Sequence, residues 1–419
     1  MTRVARAAGG LGSRGRRLAA GALGLAVAAS VVRFVAEIRG VEEACCADFP
    51  IFEEAAEQWS RNERLYGRPL GEYGPGSGVY KFPPLLALLL AGGQAVAGGR
   101  VQGQVFLLQV AAYAVAVALL LLTLRRAAGA GPGTLMAVLV TALSFGPFFE
   151  TLFRLQLENA MLLCIVVAGL ALHTGAPVAA GAALGLATVI KLYPIHLLVP
   201  LWLTGRRRAA LALVGTVVGV GGLSLVVVGL DDGLRYATEI VPALARENPT
   251  DQFGAENLGI HRLLGQRLNL DYGHSRVAGT LAFACAWLVS AGAVVRYRWD
   301  RADPRGIAPV LLFLPLMLMS LPNSWMNYQL LLLPAVAWLI AEGAKGGRLE
   351  LVCGVCAGLI LSASSYESEW VGSARFRLSA LHPLAFQVWC DIRPLATLLA
   401  WLGLLRACTR PPLPPFAKP

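Results

Sequence analysis

The feature that most limits what this chain can fold into is a series of long apolar runs with few charges inside them. They fall near residues 17–36, 82–98, 101–124, 133–152, 158–173, 177–204, 208–229, 276–296, 307–321, 328–342, 349–364 and 393–407. A helix crossing the hydrocarbon core of a bilayer needs about 20 apolar residues. Buried in lipid, it satisfies its own backbone hydrogen bonds. The expected fold is an all-α polytopic membrane protein of about twelve transmembrane helices with both termini cytoplasmic. Composition agrees, since hydrophobic residues make up 56% of the 419 and charged residues 15%, against about 25% charged in a soluble domain. Disorder, a disulfide-dense small scaffold and a collagen-like chain are excluded by the same figures. The run 177–204 contains Lys191 and Pro194 and reads either as one span or as two shorter segments.

The formal net charge is +11. Much of it sits in short clusters between apolar runs: Arg3, Arg6, Arg14, Arg16 and Arg17; Arg206, Arg207 and Arg208; Arg296, Arg298, Arg301 and Arg305; Lys345 and Arg348. Cytoplasmic loops carry such clusters under the positive-inside rule, so membrane lipid is the expected partner and nucleic acid is not. Arg125 and Arg126 are discordant, because this span count places them outside. The first run opens Arg-rich and contains Ala26-Val27-Ala28, which resembles a cleavage site. It continues to Phe34, long enough to span, and is read as an uncleaved first helix. The chain then divides into a basic cytoplasmic N-terminus (1–16), a single transmembrane domain (17–407) and a Pro-rich, disordered tail (408–419).

Three long loops, about 37–81, 230–275 and 365–392, fall on the outer side, so aqueous chemistry is expected there. In the first, Ile51, Phe52, Ala55, Ala56 and Trp59 recur at helical spacing with acids mostly on the other face. This predicts a short amphipathic juxtamembrane helix at the membrane surface, with Asp48 at its N-cap position. A Gly/Pro-rich turn from Gly71 to Gly78 and then Tyr80-Lys81-Phe82-Pro83-Pro84 lead into the next run.

These residues resemble glycosyltransferase family 87. The pattern is an Asp-Phe (Asp48-Phe49) after the first span, an aromatic-rich helix, a Leu-Tyr (Leu65-Tyr66) and an aromatic-Pro-Pro opening the second span. Further marks are Gln156-Leu157-Glu158-Asn159, Lys191-Leu192-Tyr193-Pro194 followed by Arg206-Arg207-Arg208, Asn257-Leu258-Gly259-Ile260-His261-Arg262, and Ser324-Trp325-Met326-Asn327-Tyr328. Gly259 stands where the family usually has Ser, and Asn327 where His is frequent. The resemblance covers about residues 40–340. It implies a GT-C type fold with extracytoplasmic loops, and a mannosyltransferase of a bacterial-type plasma membrane. The implied donor is a polyprenyl-phosphate-sugar, and the acceptor is a glycolipid, glycan or protein.

Such a transfer needs a base for the acceptor hydroxyl. It also needs cations or hydrogen-bond donors for the lipid-phosphate leaving group. Direct displacement inverts the anomeric centre, so one base suffices, unlike the carboxylate pairs of glycosidases; no metal or other cofactor is expected. Asp48 is the catalytic base that the resemblance implies; as a residue of the loop alone it reads first as an N-cap. Glu53 and Glu54 are weaker candidates on the solvated helix face. Candidates for the donor phosphate are Lys81, Arg154, Lys191 and Arg262. A lysine inside an apolar run is costly and commonly functional, although Lys191 could also snorkel to an interface where Pro194 breaks the helix. Gln156, Glu158 and Asn159 line a cavity or cap a helix. Tyr80, Asn257, His261, Asn327 and Tyr328 complete the candidate binding set.

Cys353-x-x-Cys356 has a redox or metal spacing but lies within an apolar run without further Cys or His nearby, and no function is assigned to it. Cys45 or Cys46 paired with Cys390 would tie the first outer loop to the last. No phosphate-binding loop follows a strand, which argues against a soluble nucleotide-sugar site. The rival reading is a transporter or lipid flippase, which long outer loops and the lack of a visible internal repeat disfavour.

Overall fold

A computed structural model describes residues 13–46, 48–69, 72, 79–98, 101–244, 258–300, 307–321, 324–363 and 383–410. Among these the regular structure is helical throughout. The elements that position the site are α1 (Ser13–Ala44), α2 (Phe49–Ser60), α3 (Leu85–Ala97), α4 (Gln102–Ala127), α5 (Pro132–Leu143), α6 (Gly146–Arg154), α7 (Glu158–His173) and α8 (Pro177–Ile190). There follow α9 (Tyr193–Leu203, opening as a 3-10 turn), α10 (Arg207–Val227), α11 (residues 230–244), α12 (Ile260–Arg267), α13 (Tyr272–Asp300) and α14 (Ala308–Met319). A 3-10 segment, Met326–Leu332, runs into α15 (Leu333–Ala344), and α16 (Arg348–Ala363) and α17 (Pro383–Thr409) complete the bundle.

Among the described residues six helices are by themselves long and apolar enough to cross a membrane, and several shorter apolar helices pack with them. This is an all-α, multi-pass membrane protein. One expected span is drawn differently, and the two readings of another are decided. The run 82–98 does not cross. Phe82 lies beside Lys191, and after α3 Gln102 Nε2 meets Cys45 Sγ at 3.7 Å. The chain therefore enters and leaves α3 at the same end of the bundle, and α2 packs along it.

The run 177–204 is two antiparallel passes. Pro194 has no N–H to donate and crowds the carbonyl four residues earlier, and it disfavours a helical residue before it. The helix accordingly stops at Ile190, and Lys191 is extended (φ −146°, ψ 134°). The chain descends through α9, turns at Gly205 with φ +77°, and rises again as α10. Here α8 and α10 run parallel and close. A Cβ on Gly181 would meet the Ala209 carbonyl, and one on Gly185 would meet Thr216.

Re-drawing α3 also removes the discordance of Arg125 and Arg126. With Gln102 at the site end, the 26-residue α4 carries these arginines to the opposite end. That end also holds Arg206, Arg207 and Arg208 and the α15–α16 turn, where Arg410 pairs with Glu342 and Glu350 at 3.3 Å each. Thus α17 continues to Thr409 and Arg410 is anchored, although a disordered tail was expected from residue 408; residues 411–419 lie outside the described ones.

The first helix is part of the packed body. Its Phe34 stacks on Phe148 of α6 at 5.2 Å, and Phe148 stacks on Tyr113 of α4. Cys45 and Cys46 are bonded to each other, which leaves neither for a bridge to Cys390; the Cys390 side chain lies outside the described residues.

The arrangement makes a topological prediction. With the exposed Cys285 replaced by Ser, cysteines introduced at Arg126 and Arg208 should react with an impermeant thiol reagent from one side of the membrane. Cysteines at Glu72 and Val96 should react from the other. Labelling of positions 72 and 96 from opposite sides would restore α3 as a crossing.

Candidate active site

The site is assembled by three local breaks in helix. The first is at the end of α6. Leu155 takes the left-handed conformation (φ +50°), with its N–H bonded to the Leu152 carbonyl and the Gln156 N–H to that of Thr151. This is a Schellman turn with leucine where glycine is usual, a strained choice. It redirects the chain so that Gln156 and Glu158 enter the bundle. The second break, at Pro194, delivers Lys191. The third is the 3-10 segment Met326–Leu332, which delivers Asn327 and Tyr328.

These side chains form one continuous network. Gln156 Nε2 donates to Asp48 Oδ2 at 2.8 Å. Lys191 Nζ donates to Gln156 Oε1 at 2.9 Å and forms a short ion pair with Glu158 Oε1. Asn327 Nδ2 donates to that same Glu158 oxygen at 3.0 Å. The Lys191 ammonium also lies over the rings of Tyr328 (4.6 Å) and Phe82 (5.2 Å), where the π faces add attraction. Arg154 stands at the rim. Its Nη1 is 3.9 Å from Asp48 Oδ2, its Nε donates to Glu150 Oε1 at 2.6 Å, and its guanidinium lies 5.7 Å from the Trp325 ring.

Exposure separates a closed floor from an open rim. The side chains of Lys191 and Glu158 are 6% and 0% exposed, those of Asp48 and Arg154 27% and 20%. A buried charge needs a partner, and the floor supplies it internally. The rim charges remain accessible.

Asp48 does occupy the N-cap position of α2, but its side chain makes no capping bond. It is held instead by a residue 108 positions away. Glu54 stays on the outer face of α2, bonded to Gln58 and within 3.5 Å of Arg68. The apolar face of α2 is directed into protein: Phe49, Phe52, Ala55 and Ala56 are buried, and Phe52 packs on Tyr80 and Phe82.

Of the sequence-derived candidates, Asp48, Arg154, Gln156, Lys191, Asn327 and Tyr328 come together. Tyr80 sits behind Phe82, its hydroxyl donating to the Pro83 carbonyl at 2.6 Å. Lys81 is half-buried next to it. Asn159 is fully buried on α7, and neither of its polar atoms finds a hydrogen-bond partner among the described residues. His261 and Arg262 lie on α12; the residues leading into it touch those leading into the 3-10 segment through Leu258 N–H and the Ser324 carbonyl, 2.7 Å. His261 packs against Gly279 of α13, and burial first, then the nearby Arg276, lowers its pKa, which keeps it neutral near pH 7. Asn257 lies outside the described residues. No cluster of metal-ligating residues occurs among the described ones.

The model of glycosyltransferase family 87 matches residues 80–322, more than half of the chain. The chain belongs to glycosyltransferase family 87. As a family member it is a membrane glycosyltransferase, with a sugar donor and an acceptor to accommodate. No curated protein matches the chain. The matched segment contains Arg154, Gln156, Glu158 and Lys191. Asp48 and Asn327 fall outside it and are joined to it by their bonds to Gln156 and Glu158.

Two contributions were not read as such from the sequence. Glu158 is the counter-ion of Lys191, a role signalled only by the rule that an intramembrane lysine seeks a carboxylate. Asp232, at the start of α11, is buried and accepts the Leu65 N–H at 2.7 Å, while Tyr66 donates to the Phe82 carbonyl at 2.7 Å. The second outer loop thus clasps the first and fixes the Phe82 wall. No local pattern marks that pairing.

The floor predicts a large stability effect. Glu158→Ala strands a buried ammonium and should cost on the order of 3–5 kcal/mol, read as a lowered unfolding temperature in detergent. The paired Glu158→Met/Lys191→Met variant should recover most of that loss.

Proposed function

We propose that this family 87 enzyme transfers a hexose, mannose by the family resemblance, from a polyprenyl-phosphate-sugar to an acceptor hydroxyl. The acceptor is a glycolipid, glycan or protein. Asp48 accepts the hydroxyl proton as the acceptor oxygen attacks the anomeric carbon. The bond from that carbon to the phosphate oxygen breaks, and the phosphate leaves with the electron pair. Configuration inverts in this single displacement.

Arg154 and Lys81 meet the leaving phosphate in this reading. The observation that carries the reading is the rim itself. A carboxylate held on one oxygen by Gln156, with a guanidinium 3.9 Å away, keeps 27% of its side chain exposed. The other carboxylates nearby, Glu150 and Glu158, are 6% and 0% exposed. The rim lies at the end of the bundle opposite the arginine clusters. By the positive-inside rule this favours an extracytoplasmic site, in a plasma membrane of bacterial type.

The test is transfer of label from radiolabelled polyprenyl-phosphate-mannose to a membrane glycolipid extract by the reconstituted protein. Asp48→Asn should lower turnover by about 10²–10⁴-fold without unfolding, because the asparagine carbonyl still accepts from Gln156. Undiminished transfer by Asp48→Asn would remove Asp48 as the base.

A further inference from the structure

The geometry points to Lys191 as a positioning residue, whose ammonium orients Gln156 and through it aims Asp48, and not as a ligand of the donor phosphate. This inference rests on the reading of Asp48 as the base.

The donors of Lys191 are already used. One N–H goes to Gln156 Oε1, one to Glu158 Oε1, and the ammonium is covered by the faces of Tyr328 and Phe82. With 6% of the side chain exposed, a phosphate could reach Nζ only by dismantling this cage. What the ammonium does instead follows from its chemistry. A lysine only donates, so the oxygen of the Gln156 amide must face it, and the NH₂ must face Asp48. The Asp48 carboxylate only accepts, so it calls for the same orientation from the other end; Lys191 holds the oxygen end of the amide in place, and only this orientation makes both bonds.

The NH₂ then holds Oδ2 of Asp48 at 2.8 Å. Among the described residues the side chains that meet Asp48, Gln156 and Arg154, both do so at that oxygen, so Oδ1 is left to meet the acceptor hydroxyl. Glu158 and Asn327 complete the device by fixing the ammonium from the far side. Among the described residues the charged and titratable groups linked to Asp48 in this network include Arg154 and Glu150 on α6, Glu158 on α7, Lys191 after α8, and Tyr328 on the 3-10 segment. Of these only Lys191 acts through Gln156.

The experiment compares Lys191→Met, Gln156→Leu, their double variant, and Lys191→Arg in the reconstituted full-length protein, with polyprenyl-phosphate-mannose as donor. Misaiming the base should lower kcat by about 10²-fold in each single variant and leave the donor KM unchanged. The double variant should be no worse than the poorer single one, as expected of residues acting as a unit. Lys191→Arg, still a pure donor, should retain most of the rate. A raised donor KM in Lys191→Met, absent from Gln156→Leu, would overturn the inference and return Lys191 to the phosphate. Fully multiplicative losses in the double variant would overturn it as well.

A second readout needs neither donor nor turnover. Modification of Asp48 by a water-soluble carbodiimide, mapped by peptide mass, should rise several-fold and equally in Lys191→Met and Gln156→Leu, because both release Oδ2. Modification equal to that of wild type in both would also overturn the inference. If Lys191→Met does not fold, the Lys191→Met/Glu158→Met pair takes its place in both assays. Absence of any transfer by the wild-type protein would count against the proposed donor, and the carbodiimide result would still decide the role of Lys191.

Discussion

The structure around the site depends on one buried ion pair. Lys191 and Glu158 are enclosed in a bundle whose exterior is apolar, and removing either alone leaves a charge with nowhere to go. Such a pair is tolerated only where the partners meet at short range and their remaining donors and acceptors are used. Three elements must therefore converge: the start of α7 for Glu158, the break after α8 for Lys191, and the 3-10 segment for Asn327. Each arrives by an interruption of regular helix. Within a membrane such interruptions are stable where protein surrounds the freed backbone.

A closed floor beneath an open rim divides the work between two groups of charges. The floor cannot bind a ligand without coming apart, so its contribution is rigidity. The rim can bind one, so reacting groups belong there. Preorganisation of this kind is effective because orienting a base during the reaction would cost part of the rate that the base supplies. The outer loops extend the same rigidity outward. Asp232 holds Leu65, Arg235 Nη2 donates to the Arg68 carbonyl at 2.8 Å, and Tyr66 packs on Tyr236 at 5.0 Å. The wall carrying Phe82 is thereby tied to a loop far away in sequence.

Much of this was legible in the amino-acid sequence. The class of fold followed from apolar run length. Lys191 stood out because a lysine in such a run is costly, and Pro194 marked the break that exposes its backbone. Asp48, Gln156 and Asn327 were singled out through a family resemblance, since nothing local distinguishes Asp48 from an ordinary N-cap. What could not be read were relations between distant segments. Hydropathy reports how well α3 tolerates an apolar environment, but not that it returns to the end it left. Glu158 looked like one polar residue among three at a helix entrance until its partner 33 positions away gave it a role. Asn159, its neighbour in sequence, is buried on α7 without a hydrogen-bond partner among the described residues, a difference set by helical phase and not by residue type.

Asn327 bears on where the proton goes. Its amide donates to Glu158, but a carboxamide neither gains nor loses a proton near neutral pH, so it cannot serve as acid or base. Lys191 is committed to two acceptors, and Tyr328 offers its ring face to that same ammonium. Glu150 is engaged by Arg154 and almost wholly buried. On the reading proposed here, a proton released by an acceptor at the rim then has one nearby carboxylate with both the exposure and an unengaged oxygen to take it. Asp48 would keep that proton until solvent removes it, because the amide of Gln156 stands between it and the floor and conducts orientation but not protons. A family member with a titratable side chain at position 327 would still have to pass a proton across that amide, so substitution there should act on the geometry of Glu158 and Lys191 before it acts on acid–base chemistry.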